Sequence, residues 1–241
     1  GLGAPAAIAA ATSATFPASA FPSGVPAVIE DYNWVDAISQ TGKNSQYDLS
    51  VSGGDAKTKF FISGSYNNND GTILTSNFRR GTVRANVDHN ISEKFNVSAS
   101  LSLAGSKSLG PSTNQGFFTN TPFTGAALVA PINKVYNADG TFNTIFVGTN
   151  NQNPVQNLKQ EIRTAGTFQT VSNLALTYKI LPNLSVKAFG GVDFADVNDL
   201  NYRPATLSVA AAAVGSGAET FNRTINYTTT ATVNYSKSFA D

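Results

Sequence analysis

Short stretches of this chain alternate apolar and polar residues with a period of two, as strands do when successive side chains point to opposite faces. Tyr47, Leu49 and Val51 alternate with Asp48, Ser50 and Ser52, and Phe60, Ile62, Gly64 and Tyr66 follow. Val83, Ala85 and Val87 lead through a tight turn at Asn90 to Lys94 into Phe95, Val97, Ala99, Leu101 and Leu103, whose partners Asn96, Ser98, Ser100 and Ser102 are polar. Leu174, Leu176, Tyr178 and Ile180 come next, then Leu184, Val186, Ala188, Gly190, Val192 and Phe194. Ile225, Tyr227, Thr229, Ala231, Val233 and Tyr235 complete seven predicted strands.

In this phase the apolar side carries no charge, and Asp48, Lys59, Arg84, Asp88, Lys179, Lys187 and Asp193 fall on the other side. A lysine or arginine facing lipid at the bilayer midplane costs roughly 2 to 4 kcal/mol, so this segregation has a physical cause if the apolar side meets lipid. A soluble β-sandwich alternates too, because one face of each sheet packs on a core. Strand ends and connections separate the two. Tyr47, Tyr66, Phe168, Phe194 and Tyr227 gather at one end of the apolar side, and Phe60, Phe95, Tyr178 and Tyr235 at the other. Two aromatic girdles around an apolar band mark a membrane barrel, although aromatic residues also favour strands in general.

The predicted connections alternate in length: short at Gly53 to Lys57, longer at Asn68 to Arg80, short at Asn90 to Lys94, very long at Ser106 to Ala165, short at Leu181 to Asn183, long at Val197 to Asn222. Outer-membrane barrels show this order, with short periplasmic turns and long extracellular loops. The expected fold is therefore all-β, an antiparallel transmembrane β-barrel represented by about seven strands. Residues 1–43 are expected to form an Ala/Pro-rich segment and an extracellular loop. Residues 44–241 are expected to form barrel, with long extracellular loops at 106–165 and 197–222.

Composition narrows the function classes. Charged residues make up 13% of the 241 residues, about half the ~25% of an average soluble domain. No run of ~20 apolar residues predicts a helical span. A net charge of +1 without a clustered basic patch argues against a nucleic-acid surface. With no cysteine, disulfides, thiolate metal sites and thiol nucleophiles are excluded. Residues 1–30 have neither a basic n-region nor a continuous apolar h-region, so no intact signal peptide is read there. An odd strand number does not close a bacterial barrel, so further strands are expected elsewhere in the polypeptide or in an unrecognised first strand.

Several residues bear family features. The run Asn33-Trp34-Val35-Asp36-Ala37-Ile38, followed by Gln46-Tyr47-Asp48-Leu49-Ser50-Val51-Ser52-Gly53-Gly54, resembles SusC/RagA-like TonB-dependent transporters. Phe60 to Tyr66 with Asn69-Asp70-Gly71-Thr72-Ile73, then Phe78-Arg79-Arg80 and Arg84 to Asp88, resemble the first barrel hairpins of that family, and Val135 to Phe142 one of its loop hairpins. The resemblance is densest over residues 33–105. It implies a periplasmic plug inside a 22-stranded barrel, a SusD-like lipoprotein lid and energy from a TonB complex acting through the plug, which is not recognisable here. Seven strands in 241 residues scale to roughly 760 residues for twenty-two.

Candidate substrate contacts lie in the longest loop, where Phe117, Phe118, Phe123 and Tyr136 stand with Phe142 and Phe146 among Asn, Thr and Gly. Ring faces and amides together suit sugars or peptides; the alternative is that the rings pack the loop on itself or against the lid. Asn67, Asn69 and Asp70 before Gly71 lack the acidic spacing and closing Glu of a calcium loop and read as a surface turn. His89 has no second histidine or cysteine with which to share a metal. No nucleophile-and-base motif or phosphate-cradling loop is present, and alternation points Asp193 and Asp196 to opposite faces, so neither an enzyme nor a cofactor is expected.

The function expected is part of a TonB-dependent importer of oligosaccharides or oligopeptides in the bacterial outer membrane. Its expected partners are a SusD-like lipoprotein, the TonB complex and membrane lipid, with no nucleic acid. The alternatives are a passive porin, or a secreted β-rich adhesin or glycan-binding module.

Overall fold

The computed structural model describes residues 31–111, 121–146, 152–207 and 214–237. Seven strands form one antiparallel sheet in sequence order: β1 (Lys43–Gly54), β2 (Thr58–Asp70), β3 (Asn77–Asn90), β4 (Phe95–Leu109), β5 (Ile162–Leu181), β6 (Leu184–Arg203) and β7 (Ser216–Tyr235). Among the described residues three short helices accompany it: α1 (Trp34–Ala37), α2 (Pro122–Leu128) and α3 (Pro154–Gln160).

The register tests the alternation strand by strand, because a slip of one residue moves a whole strand's side chains to the other face. Val51 lies opposite Ile62, Ile62 opposite Ala85, Ala85 opposite Leu101, Val97 opposite Leu176, Leu176 opposite Ala188 and Ala188 opposite Ala231. All six pairings therefore put the apolar phases on one common face. Nothing among the described residues forms a second layer over it, and Leu49, Ile62, Val83, Leu101 and Val233 are exposed there. A soluble protein rarely leaves so large an apolar patch open, whereas a membrane barrel turns such a face toward lipid.

The opposite face is polar. Lys59 pairs with Asp88, and Ser65 Oγ is 2.6 Å from Thr82 Oγ1. A hollow of about 550 Å³ runs over Asp48, Ser63, Ser65, Arg80, Arg84 and Gln169 on this interior side.

The aromatic ends also fall into rows. Tyr47 faces Tyr66, which faces Gly81, then Gly105, then Phe168 across β1 to β5. Phe194 sits two residues lower on β6 and Tyr227 two lower again on β7, opposite Thr170 and Val192. At the other end Phe95 faces Tyr178, their rings 6.3 Å apart. Tyr235 of β7 lies lower still, opposite Leu184 of β6. Both rows descend across the sheet in the same direction, as tilted strands require.

The strands overrun their expected ends on the side of the longer connections, which are 71–76, 110–161 and 204–215 rather than Asn68–Arg80, 106–165 and 197–222. Asn67, Asn69 and Asp70 accordingly belong to β2, and the turn starts at Gly71. The strands β5, β6 and β7 are 20 residues long, about 66 Å at ~3.3 Å per residue, well beyond what the hydrocarbon layer needs. Above that layer both faces meet water, and apolar alternation fades. The added rungs also bring charge to the outer face: Asp196 and Arg223 lie in the row of Phe168, and Arg79 and Lys107 lie one same-face position higher. None lies within the apolar band.

Candidate functional site

The strand ends that carry the long connections hold a packed module made from two distant parts of the chain. Asn33 caps α1, its Oδ1 accepting from the Asp36 amide at 3.1 Å, and Asp36 in the first turn complements the helix dipole. Thr121-Pro122 and Asn153-Pro154 open α2 and α3, with proline at the position whose amide has no helical partner anyway. These dipeptides are the sequence signal for the two helices, which the alternation analysis passes over.

The helices bury Trp34, Ile38, Ala126, Val129, Phe146, Val155 and Leu158 in one cluster, with Val135 and Phe142 against it. Trp34 and Phe146 stand 5.8 Å apart between ring centres, and Trp34 Nε1 donates to the Asn133 carbonyl at 3.1 Å. Asn153, 2% exposed, is the polar hub. Its Oδ1 accepts from the amides of Val155 and Gln156, and its Nδ2 donates to the carbonyls of Val135 at 2.8 Å and Asn143 at 3.0 Å.

Residues 135–143 form a hairpin bridged at Tyr136 and Phe142. Gly140 takes φ +83 at its tip, a left-handed conformation that glycine adopts without strain. The Thr141 hydroxyl and amide donate to Asp139, holding its carboxyl below the usual carboxylate range.

Of the four expected contact residues, two fall among the described residues. Phe117 and Phe118 lie outside the described residues. Phe123 is exposed on α2. Tyr136 packs at a tilt on Phe142, ring centres 5.3 Å apart, its hydroxyl accepts from Lys159 Nζ at 3.0 Å, and the same ammonium lies over its ring at 5.6 Å. Phe142 and Phe146 serve packing.

A cavity of about 190 Å³ lies between the module and the strand ends, lined by Leu109, Pro122, Gly125, Pro154 and Leu158, with Glu161, Arg163 and Arg203 on its polar wall. Glu161 Oε1 is 2.6 Å from Arg163 Nε and 3.6 Å from Arg203 Nε. Apolar walls with a few polar groups can hold a small ligand group. This wall escapes sequence reading because Arg203 arrives from the unrecognised end of β6, 42 positions from Glu161.

His89 Nδ1 is 2.8 Å from Thr58 Oγ1 at the short-turn end of β3. Asp193 faces the interior, and Asp196 the outside with Arg223 at 2.8 Å. Among the described residues no cluster of three metal-ligating side chains occurs.

No family model matches the chain. TonB-dependent receptor P3 of Formosa agariphila is 29% identical over 212 residues, which cover 86% of this chain and 21% of the receptor. TonB-dependent receptor SusC of Bacteroides thetaiotaomicron is 26% identical over 190 residues, covering 68% of this chain and 18% of SusC. The chain thus spans about a fifth of the length of these relatives. Among solved structures, the RagAB peptide importer in its closed-closed state superposes with TM-score 0.71 at 22% identity, over 88% of this chain and 24% of that one. A second structure of the RagAB peptide transporter gives 0.68 at 22% identity, with the same coverage. Apolar outer face, polar interior, aromatic rows and relatives agree: the chain is part of an outer-membrane β-barrel, similar in sequence to the TonB-dependent receptors P3 and SusC and in fold to RagAB.

Proposed function

We propose that this chain forms wall and extracellular cap of an outer-membrane importer that takes up oligosaccharides or oligopeptides, working with a SusD-like lipoprotein and drawing energy from TonB. The observation that carries the reading is the common apolar face across six pairings, crowned at one end by a packed module, in a chain related to TonB-dependent receptors. The polar interior hollow gives a plug a hydrophilic wall to slide against. The cap supplies the groups that meet cargo: the exposed ring of Phe123, the partly exposed Tyr136, and the Glu161, Arg163 and Arg203 wall. The peptide import named for RagAB favours oligopeptides, and the arginine and glutamate side chains suit peptide termini.

The test replaces residues 112–160 by a short turn in the full-length transporter, which leaves all seven strands intact. Loss of uptake of labelled oligopeptide or oligosaccharide, with heat-modifiable gel migration showing an assembled barrel, supports a cap role in import; undiminished uptake refutes it. Uptake by the parent protein that persists in a TonB-deficient strain assigns a passive porin instead.

A further inference from the structure

The outer face of β3 and β4 reads, from the extracellular end downward, Arg79 opposite Lys107, Gly81 opposite Gly105, Val83 opposite Leu103, and Ala85 opposite Leu101. Like charges directly opposite on paired strands repel, yet neither cation makes an ion pair among the described residues. Arg79 Nε donates only to the neutral Asn68 Oδ1 at 3.2 Å. Asp70, a carboxylate of this face, lies opposite Lys43 and accepts from Asn77 Nδ2 at 2.6 Å. Arg223 on the same outer face is by contrast neutralised by Asp196. Arg79 and Lys107 line a groove of about 550 Å³ together with Lys43, Asp70, Asn77 and Leu109, all on outward positions.

The glycine pair beneath is a second, independent feature. Gly81 and Gly105 occupy the aromatic row between Tyr66 and Phe168, so the girdle has a gap two strands wide. A Cβ on either would meet nothing within 4 Å, and neither has a left-handed φ. Backbone geometry and packing therefore do not require glycine here; what glycine supplies is a bare surface that another molecule can approach.

We propose that this column binds a phosphorylated glycolipid of the outer leaflet, of the lipid A type. Its phosphate sits between Arg79 and Lys107, its sugar in the glycine gap, and an acyl chain along the strip of Val83, Leu103, Ala85 and Leu101. The cations stand at the height where a lipid headgroup lies, on the face that meets lipid, with an apolar strip leading down from them. Only an amphiphile satisfies all three parts at once. Charge-assisted bonds from guanidinium and ammonium to phosphate oxygens are the matching chemistry.

The experiment is native mass spectrometry of the full-length transporter in mild detergent, titrated with bisphosphorylated lipid A and with its dephosphorylated form. Bound bisphosphorylated lipid is expected to fall by about tenfold or more in the double variant Arg79→Gln/Lys107→Gln. It should also fall several-fold in Gly105→Leu, which fills the gap and keeps both charges, and be retained in Arg79→Lys. Heat-modifiable migration checks folding, and the single variant Lys107→Gln with Gly105→Leu carries the test if the double variant does not assemble. Equal binding of the two lipid forms overturns the proposal, as does undiminished binding in the variants. Displacement of the lipid by inorganic phosphate alone, which marks a simple anion site, overturns it too.

Discussion

Leu101 gives the sharpest test of which face meets lipid. It lies on the outer face of β4, opposite Ala85 and Ser172, four residues below the Gly105 row and six above Phe95. At ~3.3 Å per residue and a tilt of ~40°, it stands about 10 Å below the upper row and about 15 Å above the lower one. That is close to the middle of a band ~25 Å tall. An arginine there costs roughly 2 to 4 kcal/mol, falling to about 0 to 1 near the interface. Ser100, one residue away, faces the interior and accepts a hydrogen bond from Asn173 Nδ2 at 3.2 Å. Ser100→Arg loses that bond at a cost of about 1 kcal/mol. Leu101→Arg is therefore expected to destabilise by about 1 to 3 kcal/mol more than Ser100→Arg, roughly fivefold to a hundredfold in the unfolding constant. Gly81→Arg, outward in the upper aromatic row with open space around its Cβ, should cost about 0 to 1 kcal/mol. The assay is urea unfolding of the full-length barrel refolded into phosphatidylcholine vesicles, followed by gel mobility. A larger cost at Ser100 than at Leu101 refutes the face assignment. Equal costs at Leu101 and Gly81 refute lipid as the medium, because only a bilayer grades the cost with height.

Asn153→Ala removes a helix cap worth about 1 kcal/mol and leaves buried carbonyls unpaired at about 1 to 3 kcal/mol. Proteolysis within residues 133–160 should therefore accelerate sharply while barrel migration stays unchanged; an unaltered cleavage rate contradicts the role of Asn153 as hub. In the short turn between β1 and β2, the amides of Thr58 and Lys57 donate to Asp55 and hold its carboxyl below the usual range. Because the folded value is the lower one, the contribution is present above the unfolded value of about 3.9 and is lost as pH falls through the folded value. The urea midpoints of the parent protein and Asp55→Asn should thus differ at neutral pH and converge in acid. A gap that widens as pH falls contradicts this.

The sheet was legible because alternation is a local signal that a single strand displays by itself, and six pairings then had to agree in parity. The strand ends were not. Val197 to Arg203 and Ser216 to Asn222 stand above the lipid, where polar residues suit both faces and no contrast marks the strand. Thr121-Pro122 and Asn153-Pro154 signal the helices, but each helix is only seven residues long, too short for an apolar periodicity to reinforce the signal. What no local pattern could show was that Trp34, ahead of the first strand, packs on Phe146 beyond the fourth. The roles of Phe142 and Phe146 in packing follow from that contact.

The pairing of each strand with its sequence neighbour has a kinetic counterpart. Contacts close along the chain form early, because little loop entropy is lost before they gain anything. Hairpins β1–β2, β3–β4 and β5–β6 close over turns of a few residues, so the wall can zip pair by pair. The bond from Trp34 to Asn133 instead spans 99 positions and needs both parts of the cap already exported and brought together. The wall therefore enters the membrane first and the cap orders last. Lesions in the Trp34 cluster will leave inserted barrels with unfinished tops, a maturation defect visible only after assembly looks complete.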